Sequence, residues 1–279
     1  METVPANDNY SVVPVANEAD MFTTVMGHVL AVGIGLSLGL MGGGGSILAV
    51  PILVYVMGVG AKVAIAMSLV IVGTVSLVGA IPHWFQGNVN LKMALVFTPA
   101  AMVGAYLGAR LTALPSITET IQLICFGVVM VIASVLMIQK SKTEIVDAAL
   151  IIEEQGASSI QHYGWIIPLE GLGVGILTGF VGVGGGFLII PALVLVGGIP
   201  MKEAIGTSLV IIAAKSGTGF LGYIHQVTVD WPLVGSLTVA ASLGTLVGSY
   251  LTRFINDEDL QTGFGYFIFL VAIFVLIRH

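Results

Sequence analysis

The sequence predicts an all-α polytopic membrane protein made of two homologous repeats, and three observations predict it. Hydrophobic residues make up 57% of the 279 positions and charged residues only 9%, with a mean hydropathy of +1.05. Soluble domains carry roughly 25% charged residues, so lipid must be the solvent of this surface. Apolar stretches of about 20 residues, the length that crosses a bilayer, recur along the whole chain. Finally, the run Gly42-Gly43-Gly44-Gly45 ending at Pro51 returns as Gly182-Val183-Gly184-Gly185-Gly186 ending at Pro191, with the prolines 140 positions apart. The same offset carries Gly35 and Gly39 onto Gly175 and Gly179, Lys62 onto Lys202, and Gln86 onto Gln226. A hydrophobic chain in two copies, each interrupted by glycine at the same place, is the pattern of a secondary transporter with a central site.

Residues 1–21 read as a polar tail without lysine or arginine, which does not fit a cleaved signal peptide. Repeat 1 follows over 22–139, with spanning segments expected near 22–41, 62–82, 91–112 and 117–139. A polar linker over 140–163 holds Lys140, Lys142, Glu144, Asp147, Glu153 and Glu154, and its middle, 145–152, is expected to form a short surface helix. Repeat 2 occupies 164–279, with segments near 164–181, 201–222, 231–254 and 260–277. Two further apolar pieces, 46–58 and 186–198, follow the glycine clusters and are too short to cross unaided. The expectation is therefore eight full spans and two short segments. Broken or re-entrant helices of this kind are tolerated at depth only beside protein or a wet cavity. Five crossings per half make the repeats inverted and four make them parallel; inverted copies are expected, since glycine-broken helices paired across a site usually come that way. Lys140 and Lys142 favour a cytoplasmic linker.

The glycine clusters are the first candidates for function. A helix that begins inside the membrane exposes unpaired N–H groups carrying about half a positive charge, and glycines let those amides approach an oxyanion. Gly42, Gly43, Gly44, Gly45 and Ser46 form one candidate cradle, and Gly182, Gly184, Gly185 and Gly186 the other. Small residues also let helices pack closely, and that is the reading adopted for Gly33, Gly35, Gly173, Gly175 and the Gly104/Gly108 and Gly244/Gly248 pairs. Consecutive glycines do more, because they break a helix. Neither cluster continues into Gly-Lys-Ser/Thr, so a nucleotide loop is excluded.

Ser68, Thr207 and Ser208 lie near helix starts, where their hydroxyls either line a pathway or bond back to their own helix. Lys215 sits deep in an apolar helix; an ammonium there costs roughly 2.5–3.5 kcal/mol, which points to function, with snorkelling to an interface as the alternative. Its repeat partner is Val75. His83, Gln86, His225 and Gln226 are candidates for gating or proton relay, or are interfacial polar residues. Lys62 and Lys202 read as interfacial anchors. The single cysteine, Cys125, excludes an intramolecular disulfide and a cysteine cluster for zinc. No His, Cys or carboxylate constellation occurs at ligand spacing within a span, so no cofactor and no enzymatic activity are expected; no acidic residue lies within a span apart from boundary positions such as Glu119 and Glu170, so the substrate is expected to be anionic.

Gly175 to Pro191, Lys202 to Leu209, and Gly219 through Tyr223, His225 and Asp230 to Trp231 together resemble the TauE/SafE sulfite exporter family. A weaker version runs through Gly35 to Pro51, Lys62 to Leu69 and Gly79 to Asn90. The resemblance implies an inner-membrane, multi-pass permease for sulfur-containing anions such as sulfite or organosulfonates, sulfoacetate among them. It implies no nucleic-acid partner, and leaves a proton as a candidate coupling ion and a homo-oligomer as compatible. A passive anion channel, or a carrier of another small anion such as a carboxylate, are the alternatives. The halves differ at Ala66-Met67 against Gly206-Thr207, and His83 is two positions out of the His225 register.

Overall fold

The computed structural model describes residues 18–111, 119–150, 166–181, 186–223 and 227–277. Every regular element in them is helical. The first half contains α1 (Glu18–Met41), α2 (Gly45–Pro51), α3 (Ala61–Phe85), α4 (Leu91–Leu111) and α5 (Glu119–Leu150). The second contains α6 (Ile166–Val181), α7 (Gly186–Leu195), α8 (Met201–Tyr223), α9 (Trp231–Leu251) and α10 (Asp257–Ile277). Among the described residues, 5 helices are long and apolar enough to cross a membrane: Phe22–Met41, Val63–Phe85, Leu91–Gly108, Met201–Leu221 and Trp231–Phe254. The cores of α5 and α6 contribute shorter apolar stretches, Gly127–Lys140 and Ile167–Thr178. The expected short surface helix at 145–152 does not stand apart. Helix α5 runs unbroken to Leu150, since nothing between Lys140 and Leu150 is a proline or glycine that would stop it.

The chain leaves α1 at Gly42, whose φ of +60° only glycine adopts cheaply. It then doubles back through α2. Pro51 has no N–H to donate one turn back, and the helix loosens at once into a π-helical turn over Ile52–Val56. This short arm descends beside α1, so that Met57 reaches Gly27, where an added Cβ would lie 2.8 Å from its Sδ.

Several turns and bonds recur in the two halves. Gly58 and Gly198 both turn with φ of +66°. Val59 N donates to Leu53 O (2.9 Å) as Ile199 N does to Leu193 O (3.3 Å). Asn90 and Asp230 cap α4 and α9 by accepting from Met93 N (3.0 Å) and Leu233 N (3.1 Å).

Packing between the halves is interleaved. Helix α1 lies parallel to α9, with Gly35 against the Ala241 carbonyl, Gly39 against that of Thr245, and Gly244 and Gly248 against Val32 and Leu36. Helix α4 lies parallel to α6 through Gly104, Gly108, Gly171 and Gly175 in the same manner. A side chain at any of these glycines would strike backbone, which is the small-residue logic of membrane helix pairs. Hydroxyls add glue: Thr245 Oγ1 donates to Gly35 O (2.7 Å) and Ser134 Oγ to Gly265 O (2.8 Å). Equivalent helices, by contrast, cross antiparallel. Gly79 of α3 faces Leu209 of α8 and Gly219 of α8 faces Leu69 of α3, both at 3.4 Å from an added Cβ. Helices α5 and α10 also run in opposite directions, joined by Ser134 to Gly265 and by Gln261 Nε2 donating to Met137 O (3.1 Å). Helix α7 is buried from Gly186 to Val194, whereas Leu95, Val103, Val239, Leu243 and Leu270 face outward as a lipid-contacting surface requires.

Candidate functional site

The first glycine break and the start of α7 meet in the interior. A Cβ on Gly43 would collide with the Gly186 carbonyl and lie 2.7 Å from Phe187 N. One on Gly186 would lie 2.9 Å from Ser46 Oγ and 2.8 Å from Ile212 Cδ1. Ser46 and Gly186 are counterparts under the 140-residue offset, so here a residue packs against its own equivalent. Around them, Gly42 sits with its missing side chain 2.5 Å from Ser208 Oγ, Gly44 faces Phe267 and Ser37 Oγ, and Gly45 faces Ile34 and Leu38. Gly182, Gly184 and Gly185, like His225 and Gln226, lie outside the described residues.

The hydroxyls in this region are committed to nearby backbone. Ser46 Oγ donates to Gly43 O (2.7 Å), Ser68 Oγ to Ile65 O (2.8 Å) and Ser208 Oγ to Ile205 O (2.8 Å). Of the two readings open for Ser68 and Ser208, this geometry realises the back-bonded one; an anion could receive their protons only after the side chains rotate. Thr207 Oγ1 accepts from Asn90 N (2.9 Å), and Asn90 Nδ2 donates to Glu203 Oε1 (2.8 Å). These bonds pin the loop after α3 to the start of α8. Gly206 is glycine because a Cβ there would strike the Asn88 carbonyl; Ala66, its counterpart, has room for its methyl.

Lys215 reaches across to α6, where its Nζ donates to Thr178 Oγ1 (2.8 Å), and Thr178 in turn donates to Gly175 O (3.0 Å). Thr178 is buried and lies one turn before the end of α6 at Val181. The pair places the Lys215 amine beside the last turn of α6. Thr178 was not singled out from sequence; a hydroxyl in an apolar segment whose repeat partner is Leu38 was the available signal.

His83 is buried at the end of α3, with Nε2 3.3 Å from the Gly39 carbonyl oxygen, which also accepts from Thr252 Oγ1 (3.2 Å). Its Nδ1 is buried and finds no partner among the described residues. Gln86 lies one turn further, at the protein surface, and accepts from Asn88 Nδ2 (3.3 Å). Lys202 opens α8 and pairs with Asp257 (3.5 Å). Cys125 is half-buried in α5.

Known proteins similar to this chain are membrane transporters by description. The chain is 32% identical over 271 residues to a "Probable membrane transporter protein" of Xylella fastidiosa strain Temecula1, covering 91% of this chain and 97% of that protein. It is 26% identical to "Probable membrane transporter protein YdhB" of Bacillus subtilis strain 168, covering 82% and 90% respectively. No solved structure matches it. The family description "Sulfite exporter TauE/SafE" matches residues 28–275, and the chain is a member of that family of membrane transporters.

Proposed function

We propose that the protein is a secondary permease of small sulfur-containing anions, sulfite or organosulfonates, working by alternating access where the two helix breaks converge. The observation that carries this is the contact of Gly43 and Ser46 with Gly186. Inverted repeats related by an in-plane axis bring equivalent residues together only at that axis, near the bilayer midplane, where such transporters bind their cargo. The antiparallel crossings of α3 with α8 and of α5 with α10 support the inverted relation, in which the short arms α2 and α7 would each count as a fifth passage of the chain. The termini then share one face and the linker takes the other, together with Lys92, Lys140, Lys142, Lys202 and Arg253. Among the described residues Lys62 and Arg110 belong to the opposite face, and this bias favours a linker on the cytoplasmic side of the inner membrane.

In this conformation not even a methyl group fits between Gly43 and Gly186. Transport therefore requires the breaks to part, freeing the amides of the two short arms and the Lys215 ammonium for the anion. Ser46, Ser68, Thr207 and Ser208 would turn their hydroxyls toward it, and His83 and Gln86 would sit on the route. The test is radiolabelled sulfite or sulfoacetate in proteoliposomes preloaded with the same anion. A carrier gives counterflow; a passive channel, which dissipates gradients without exchange, would replace this reading, and no movement of either anion would remove the substrate class.

A further inference from the structure

We propose that the groove between the ends of α3, α8 and α9 is a binding site for the phosphate of an anionic phospholipid. It encloses about 760 Å³ and has two chemically distinct parts. Pro82, Phe85, Leu246 and Tyr250 form an apolar wall, with Phe85 84% and Tyr250 55% exposed. Lys202, Arg253, Gln86 and Asn88 form a polar rim at the helix ends.

The wall does not stop at the groove. Val239, Leu243, Leu246 and Tyr250 follow one another at helical spacing along the exposed face of α9 and lead directly to Arg253. An acyl chain lying along that stripe delivers its headgroup to the rim. Tyr250 and Phe254 stack edge to face at 5.3 Å, the kind of aromatic pair that marks headgroup depth. The Arg253 guanidinium lies over the Tyr250 ring at 5.7 Å, which holds its planar fork at the mouth of the groove. Lys202 is paired with Asp257 at 3.5 Å, and Arg253 is the other cation among the lining residues. Neutral donors on Gln86 and Asn88 complete a set suited to one phosphodiester. Basic pockets between spanning helices bind anionic headgroups for this reason. A soluble anion would use the same rim but gain nothing from the wall.

The proposal is independent of the transported substrate. Delipidated protein in detergent is offered phosphatidylglycerol, phosphatidylcholine or inorganic phosphate, and retention is read by native mass spectrometry alongside the thermal unfolding midpoint. Phosphatidylglycerol is expected to be retained and to raise the midpoint, and Arg253→Gln to weaken its retention about fivefold. Leu246→Gln, which leaves the rim intact, is expected to weaken it as well. Inorganic phosphate matching the lipid would make the groove a soluble-anion vestibule and overturn the lipid assignment. So would equal retention of phosphatidylcholine, or wild-type retention in both variants. If Arg253→Gln lowers the midpoint equally with and without lipid while retention is unchanged, Arg253 merely stabilises the end of α9 and the proposal fails.

Discussion

Asn90 and Asp230 cap α4 and α9 with the same bond, yet only Asn90 also reaches another helix, holding Glu203 and Thr207 of α8. Their counterparts in the other half, Val63 and Met67, have nothing to offer Asp230. The same contrast recurs at the centre: Lys215 and Thr178 stand where the first half has Val75 and Leu38, while Ser46 stands where the second has Gly186. Two copies thus share a backbone but divide the polar groups between them. The backbone repeats while the side chains make the two copies chemically unequal, an asymmetry that the proposed alternating-access carrier would exploit.

The sharpest way to break the comparison is at the meeting of the breaks. Gly43 has Val183 as its equivalent. Gly43→Val is nevertheless expected to destabilise the protein by about 3 kcal/mol or lock it out of this conformation, because the new side chain meets the Gly186 backbone. Thermal unfolding in detergent measures this, and a wild-type midpoint would mean that the contact is not maintained. Next comes the charged pair. Lys215→Ala is expected to slow anion exchange roughly tenfold or more with little loss of expression, and Thr178→Val by a smaller factor of about three, following the usual worth of charged and neutral hydrogen bonds. Unchanged exchange in Lys215→Ala would remove Lys215 from the site. The caps should differ by less: Asp230→Ala is expected to cost about 1 kcal/mol and Asn90→Ala about 2, because the second change also strips Glu203 of a partner, whereas the backbone bond from Asn90 N to Thr207 survives it. Equal costs would show the bond to Glu203 to be idle. The smallest effect belongs to Gly33→Ala and Gly173→Ala, where nothing lies within 4 Å of an added Cβ; both should stay within about 0.5 kcal/mol of wild type.

That last pair also marks how far the sequence could be read. The all-helical membrane fold and the first glycine break followed from composition and a single offset, because hydrophobic length and glycine runs are local signals; of the eight full spans expected, five are long and apolar enough among the described residues. The packing role expected of Gly33, Gly35, Gly173 and Gly175 divides by helix face: Gly35 and Gly175 touch backbone across an interface, while Gly33 and Gly173 touch nothing. Which face of α1 meets α9 depends on a neighbour 210 residues away in the Thr245–Gly35 bond, and no window along the chain contains both. Thr178 was missed for the same reason, since its importance comes from Lys215, 37 residues further on and on a different helix. The extension of α5 to Leu150 was hidden by polar composition, which resembles a linker whether or not the backbone stays helical. Ser68 and Ser208 are the converse case: the sequence left two readings open, and in this conformation one hydrogen bond ties each hydroxyl to its own helix.

The interleaving of α1 with α9 sets a schedule for biogenesis. Gly35 and Gly39 expose bare backbone edges that are covered only once α9 has been synthesised. At roughly 5–20 residues per second, the 210 residues separating Gly35 from Thr245 take the ribosome about 10–40 s. Throughout that interval the opening helix must wait in the lipid with its seam unsealed, vulnerable to quality-control proteases, and a chain truncated before α9 would leave it so permanently.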